Sequence, residues 1–169
     1  MRYGKMWTVL ALAVVACTSG DTILGTPSFD ALDESLPNGV HGHFLAGSYA
    51  GGRQTVHVVL QTREVDFSSY QGVVEFDQGV FRLVSVSTPK TDTHFFNQSE
   101  VAKGQLPIAG FATDGFDEPI SITLSFATPR MFKTGDIYLK LDVVGTSIGA
   151  EVPPALIYLR RELVQGSGG

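Results

Sequence analysis

Two histidines bracket a glycine at His41-Gly42-His43. On an extended strand, residues two apart share a face, so both imidazoles would point the same way and could seed a metal site. No Cys, Asp or Glu stands close in sequence to complete it, and the next histidine is His57. The bland reading is a polar strand edge. A second candidate is acidic: Asp114, Asp117 and Glu118 crowd the turn DGFDEP. Calcium takes about 6–8 oxygens, but this spacing is not that of an EF-hand loop, so a solvated turn is the favoured reading. His41, His43, Asp114 and Asp117 are thus weak metal candidates, and the expectation is no metal and no cofactor.

Catalytic patterns are missing as well. No serine carries the glycine frame of a nucleophile elbow. The stretch Gly47-Ser48-Tyr49-Ala50-Gly51-Gly52 is glycine-rich but has no lysine and no helix after it, so it reads as a turn and not as a phosphate cradle. The expectation is a protein that is not an enzyme. What is left is contact chemistry. Tyr138, Lys140 and Asp142 alternate along one strand and would project together as an aromatic-and-charge patch, either an interface or a plain solvated face. Phe95 and Phe96 lie in residues 90–104, the longest stretch without periodicity. They are either a core plug, as loops usually tie down aromatics, or an exposed protein contact.

The remaining candidate is Cys17, the sole cysteine of the chain. It follows Arg2, Lys5 and an apolar run from Met6 to Ala16 that spans 11 residues. A membrane-crossing helix needs about 20, so this run reads as a secretory signal. Val14-Val15-Ala16-Cys17 resembles a relaxed bacterial lipobox. That likeness implies cleavage before Cys17 and acylation of its thiol and amine; an ordinary signal, an uncleaved anchor helix and an unmodified buried cysteine are the other readings. The expected organisation is a lipoprotein signal over residues 1–16, a lipid-anchored arm over 17–39, a folded domain over 40–164 and a flexible tail over 165–169. The expected place is a bacterial membrane, inner or outer, with the domain facing the periplasm or cell surface.

Charge narrows the partners. The chain carries a formal net charge of -5, from 12 Lys and Arg against 17 Asp and Glu. Without Arg2 and Lys5 the balance is 10 against 17, or -7. No run of cations follows the first residues, so no nucleic acid is expected. An acidic domain is also not held on lipid by its charge, which leaves that task to the anchor.

The elements that must carry these residues are strands. Val56, Val58 and Leu60 alternate with Thr55, His57 and Gln61. Gly72, Val74 and Phe76 alternate with Gln71, Val73 and Glu75. Ile120, Ile122, Leu124 and Phe126 alternate with Ser121, Thr123 and Ser125. Ile137, Leu139, Leu141 and Val143 alternate with Asp136, Tyr138, Lys140 and Asp142. Leu106, Ile108 and Gly110 follow more loosely, and Ala155 to Val164 would extend a sheet or reach a neighbour. Period-two patterning between Gly, Pro and Asp turns predicts an all-β, two-sheet sandwich with one face of each strand buried. With 43% hydrophobic residues and only 17% charged ones, such a core can be filled.

Several of these segments resemble a bacterial cohesin domain, the cellulosome module. Thr55 to Leu60 is similar to its first core strand. Tyr70 to Asp77, ending in an aromatic and an aspartate, and Phe81 to Val86 are similar to its next pair. Gln105 to Phe111, Ile120 to Phe126 and Ile137 to Val144 complete the likeness, which covers about residues 53–152. The resemblance implies a jelly-roll sandwich of about nine strands and a binding role, since cohesins use one sheet face to hold dockerin; no dockerin-contacting residue transfers by motif. The functional expectation is a non-catalytic, membrane-anchored protein-binding module, a scaffold or accessory subunit of a membrane assembly. The alternative is a carbohydrate-binding module at the cell surface, which would need exposed planar aromatics on one face.

Overall fold

The computed structural model describes residues 36–88, 93–116 and 119–165. Residues 1–35, where a signal and most of an anchored arm are expected, lie outside the described residues, as do 89–92, Asp117, Glu118 and 166–169.

The described chain is nearly all strand: β1 Gly39–Ala50, β2 Arg53–Arg63, β3 Ser69–Phe76, β4 Arg82–Ser87, β5 His94–Phe96, β6 Gln105–Phe111, β7 Ile120–Ala127, β8 Ile137–Gly145 and β9 Ile157–Gln165. They form a five-stranded sheet in the order β4-β7-β2-β1-β9 and a four-stranded sheet in the order β5-β6-β3-β8. Neighbours are antiparallel except β1 and β9, which run parallel. The two-sheet sandwich expected from patterning, with about the nine strands that the resemblance implies, is the observed fold. Among the described residues no helix is long and apolar enough to cross a membrane.

The core lies where the period-two reading places it. Val56, Val58 and Leu60 of β2 and Ile120, Ile122, Leu124 and Phe126 of β7 face Val74, Phe76, Leu106 and Ile108 of the other sheet, all buried. Phe126 meets Phe76 and Phe132 edge-on, at ring separations of 5.1 and 4.9 Å. Phe81 stacks on Phe132 at 3.8 Å, while the Arg130 guanidinium covers its ring at 4.9 Å. Arg130 in turn grips Asp136 through two hydrogen bonds of 2.6 and 2.9 Å. This closes one end of the sandwich. Buried Gln54 closes it from beneath, its Oε1 accepting the Phe132 backbone N–H at 2.7 Å. The β1–β2 hairpin turns on Gly51 and Gly52, both at positive φ (58° and 73°), the conformation that a two-residue joint demands and only glycine adopts freely.

Four expectations need correction. The alternation in β8 does not reach Val143. Gln71 pairs with Val143 but Gly72 pairs with Leu141, so Asp142 is an extra residue, a β-bulge. The bulge reverses the phase: Val143 is 44% exposed and Val144 wholly buried. Gly72 permits it, since a Cβ there would collide with the Lys140 carbonyl. Residues 90–104 are not without structure. They contain β5 and a 3-10 helix, Gln98–Lys103, whose first turn is capped by Asn97 through a 3.0 Å bond from the Ser99 N–H. Phe95 is not a plug: it is 58% exposed, while Phe96 packs on the core. His41 and His43 are not on a strand edge, because β1 lies between β2 and β9.

Candidate interaction face

Each sheet turns one surface to the other sheet and one outward. For the four-stranded sheet the outward surface follows from the register. Phe95, Ala109, Gln71 and Val143 form one row across β5, β6, β3 and β8. Pro107, Val73 and Lys140 form the next row, and Gln105, Glu75 and Tyr138 the one beyond. Phe111 stands beside the first row on β6. Residues facing each other on adjacent strands lie about 5 Å apart, so the first row is a continuous contact surface about 14 Å across and the other two about 10 Å.

That surface is apolar at one end and polar at the other. Phe95 (58% exposed), Phe111 (54%) and Val143 (44%) leave large hydrocarbon surfaces in water around Ala109. Exposed apolar surface gathered on one face is a feature of partner-binding sites. At the other end Tyr138 is 43% exposed, and Lys140 Nζ meets Asp142 Oδ1 at 2.6 Å. That hydrogen bond holds the Lys140 ammonium above its ordinary pKa. Beyond Tyr138 a shallow, open groove of about 410 Å³ runs between Glu75, Asp77, Lys103 and Asp136.

The face rests on a rigid support. Directly beneath Phe95 and Phe111, the Tyr70 hydroxyl and His94 Nδ1 are 3.0 Å apart and buried, and Phe116 stacks on the His94 ring at 5.8 Å. Burial raises the Tyr70 pKa, so the phenol stays protonated. Gly110 leaves the space that the Tyr70 ring fills. The outer residues therefore stand on a packed aromatic layer and present a preformed surface.

The structure brings some sequence-predicted residues together and separates others. Tyr138, Lys140 and Phe95 share this face, with Asp142 on its margin at the bulge; Phe96 points inward. His41 and His43 stand on the outer side of the other sheet. The His41 ring stacks on Tyr158 at 5.0 Å, and its Nε2 is 2.8 Å from the Pro37 carbonyl. Asp114 is exposed in its turn. Among the described residues no group of three or more His, Cys, Asp or Glu is placed to hold a metal ion. Cys17 and Asp117 lie outside the described residues. Sequence reasoning missed Phe111, Val143, Ala109 and Pro107. The signal was available in Leu106 to Phe111, where both phases of the alternation are apolar: Leu106 and Ile108 face in, which leaves Pro107, Ala109 and Phe111 facing out.

No protein-family model matches this chain, and no curated protein sequence does. Solved structures do. CaCohA2 from Clostridium acetobutylicum in solution is 16% identical, with a TM-score of 0.54 over 78% of this chain and 94% of that one. CaCohA2 in its complex with CaDoc0917 is 17% identical, with a TM-score of 0.52 over 72% and 94%. A non-cellulosomal cohesin from the hyperthermophilic archaeon Archaeoglobus fulgidus is 16% identical, with a TM-score of 0.50 over 70% and 86%. The chain has a cohesin-like fold.

Proposed function

We propose that this cohesin-fold chain is a non-catalytic binding module that docks a protein partner on the outer face of its four-stranded sheet. One observation carries the reading: Phe95, Phe111 and Val143 stand exposed together on a sheet whose underside is fully packed. Aromatic anchors at the centre of a contact surface supply most of the binding free energy, and the Lys140–Asp142 pair and Glu75 would form a polar rim. CaCohA2, which shares the fold, is seen in a complex with CaDoc0917, and this supports a protein as the partner. The finer reading places the module on a bacterial membrane through an acylated Cys17, as a scaffold or accessory subunit facing the periplasm or cell surface. An anchor would raise its effective concentration near membrane partners.

The test is affinity purification from detergent-solubilised native membranes, with the unsubstituted chain and with Phe95→Ser/Phe111→Ser. A stoichiometric protein that co-purifies with the first and not with the second is the expected result. Equal recovery with both would move the site off this face. Mass spectrometry of the N-terminus examines the anchor separately: a diacylglyceryl Cys17 supports it and an intact Met1 excludes it.

A second reading has its own observation. Phe95, Phe111 and Tyr138 put three planar rings on one side of the molecule, the arrangement a sugar-stacking surface needs. Retention on an insoluble polysaccharide that is lost in the same double variant, with no protein recovered, would favour it.

A further inference from the structure

The outer face of the five-stranded sheet differs in kind from the face just described. Strands β1, β2, β4 and β7 contain no Asp or Glu at all, in a chain that has 17 of them. At one corner of this face the register assembles a basic seat. Arg53 of β2 and Arg82 of β4 both pair with Ala127 of β7, one on each side of it. Ala127 faces away from the core, since its neighbour Phe126 is wholly buried, so both arginines stand on the outer surface, where both are exposed. Their strands lie two ladder spacings apart, about 10 Å, and the single methyl of Ala127 leaves the floor between them low.

These two cations differ from others of the chain. Arg130 is paired with Asp136, Lys103 with Glu100 and Lys140 with Asp142. Among the described residues neither Arg53 nor Arg82 has a carboxylate within ion-pair distance. A guanidinium offers its donors in a rigid planar fork that matches a carboxylate. The next row along the strands is all hydroxyl: Ser85, Ser125 and Thr55 pair across β4, β7 and β2, about 7 Å from the arginines. Ser87 continues the hydroxyls along β4 and is exposed. Neither row holds an apolar residue larger than alanine; Val84 sits beside them at the bulge of the β4 edge.

That composition selects the partner. A protein interface needs aromatic or aliphatic anchors at its centre, and these rows have none. A lipid surface is held by inserted apolar groups or by clusters of about 4–8 cations, and duplex nucleic acid by many phosphate contacts; two arginines serve neither. A chain of sugar rings that bears carboxylates matches both rows. Its carboxylates take the guanidinium forks, and its ring hydroxyls exchange hydrogen bonds with serine and threonine, which donate and accept. We infer that the corner formed by Arg53, Arg82, Ser85, Ser125 and Thr55 binds an acidic polysaccharide of the polyuronate class. Recognition there rests on charge and hydroxyl pairing, with no stacked ring. The seat lies on the opposite side of the sandwich from Phe95 and Phe111, so one module can hold a protein partner and an acidic glycan together.

Binding of the full chain to immobilised polygalacturonate tests this, with dextran, double-stranded DNA and vesicles of anionic phospholipid beside it. The expected result is retention on polygalacturonate that weakens as salt rises, none on dextran, and much less on DNA and on vesicles. Arg53→Gln with Arg82→Gln should weaken retention about tenfold or more, and Ser85→Ala with Ser125→Ala about threefold. Ala127→Glu keeps both arginines and sets a carboxylate between them; it should weaken retention as much as the arginine pair does. Phe95→Ser/Phe111→Ser should leave it unchanged. No binding of polygalacturonate at low ionic strength overturns the seat, and so does equal binding by the folded arginine or Ala127→Glu variants. Equal retention on DNA or on vesicles also overturns it, because charge alone would then suffice. Loss in the Phe95→Ser/Phe111→Ser protein would move the polysaccharide to the other face and overturn it as well.

Discussion

The two outward surfaces of this sandwich stand on one core and yet solve different problems. On the four-stranded sheet, Phe95, Phe111 and Val143 face water although hydrocarbon gains nothing there. On the five-stranded sheet the outward positions of β1, β2, β4 and β7 are mostly arginine, histidine, glutamine, serine and threonine, with Leu45 and Val59 the large aliphatics of β1 and β2. An ordinary solvated face needs no exposed aromatic rings. Rings left in water suit a partner that arrives from outside, whereas a surface of arginine, histidine, serine and threonine is at home in water. The comparison teaches that the inner faces of a sandwich report its stability, while the composition of the outer faces separates a surface that displays apolar rings from one that meets solvent.

The largest expected effect separates core from display. Phe126→Ala removes a fully buried ring that contacts both Phe76 and Phe132, and should cost about 3–5 kcal/mol in urea unfolding. Phe95→Ala removes a ring of the same size from the outer face and should change stability by no more than about 0.5 kcal/mol. If Phe95 is an anchor, the same change should weaken partner binding by about 2 kcal/mol, or roughly 30-fold. A Phe95→Ala protein that unfolds several kcal/mol more easily would return the ring to the core and erase the distinction.

A smaller effect tests where the two phases of β8 change over. Val144→Ala should cost about 1.5–3 kcal/mol, because Val144 is wholly buried beside Tyr70 on the paired strand. Val143→Ala, one residue earlier, should be close to neutral in stability and lower only binding. Reversal of these two outcomes would mean that the alternation runs unbroken and Asp142 is not a bulge.

That bulge marks the limit of what the residues alone disclose. Strands β2, β3, β6 and β7 were legible because each buries one phase of a period-two pattern against the opposite sheet, and water enforces that pattern at every residue. The bulge at Asp142 was not legible, since one inserted residue changes the facing of all that follow while the local composition stays strand-like. Strand β5 was hidden for another reason: three residues, His94–Phe96, are too few to show a period. The interaction face was legible only in part. Tyr138 and Lys140 stand out as a polar phase, but Phe111 and Ala109 belong to a strand apolar on both sides, and only the register decides which side is wet. The basic face was invisible, because Arg53, Arg63, Arg82 and His41 come together only when β1, β2, β4 and β7 pair.

The smallest effect concerns protons and belongs to one face alone. His57 lies on the outer side of the five-stranded sheet, where partial burial holds its pKa below the ordinary value of 6.5, and its Nδ1 is 3.1 Å from the Thr123 hydroxyl. His43 is lowered too, by burial first and then by the Arg160 and His41 charges. A histidine whose folded pKa is depressed binds its proton more readily in the unfolded chain. Its contribution is therefore complete above pH 6.5 and is lost as pH falls through the folded value. Urea midpoints should drop as pH is lowered from about 7 towards about 5, and His57→Asn should reduce the drop without abolishing it. Partner binding at the Phe95–Phe111 face should hold steady over that window, for the row Phe95, Ala109, Gln71 and Val143 presents no group that titrates. Were binding to fall with the same midpoint as stability in the His57→Asn protein, the two faces would be coupled through the core, and the separation drawn between them would fail.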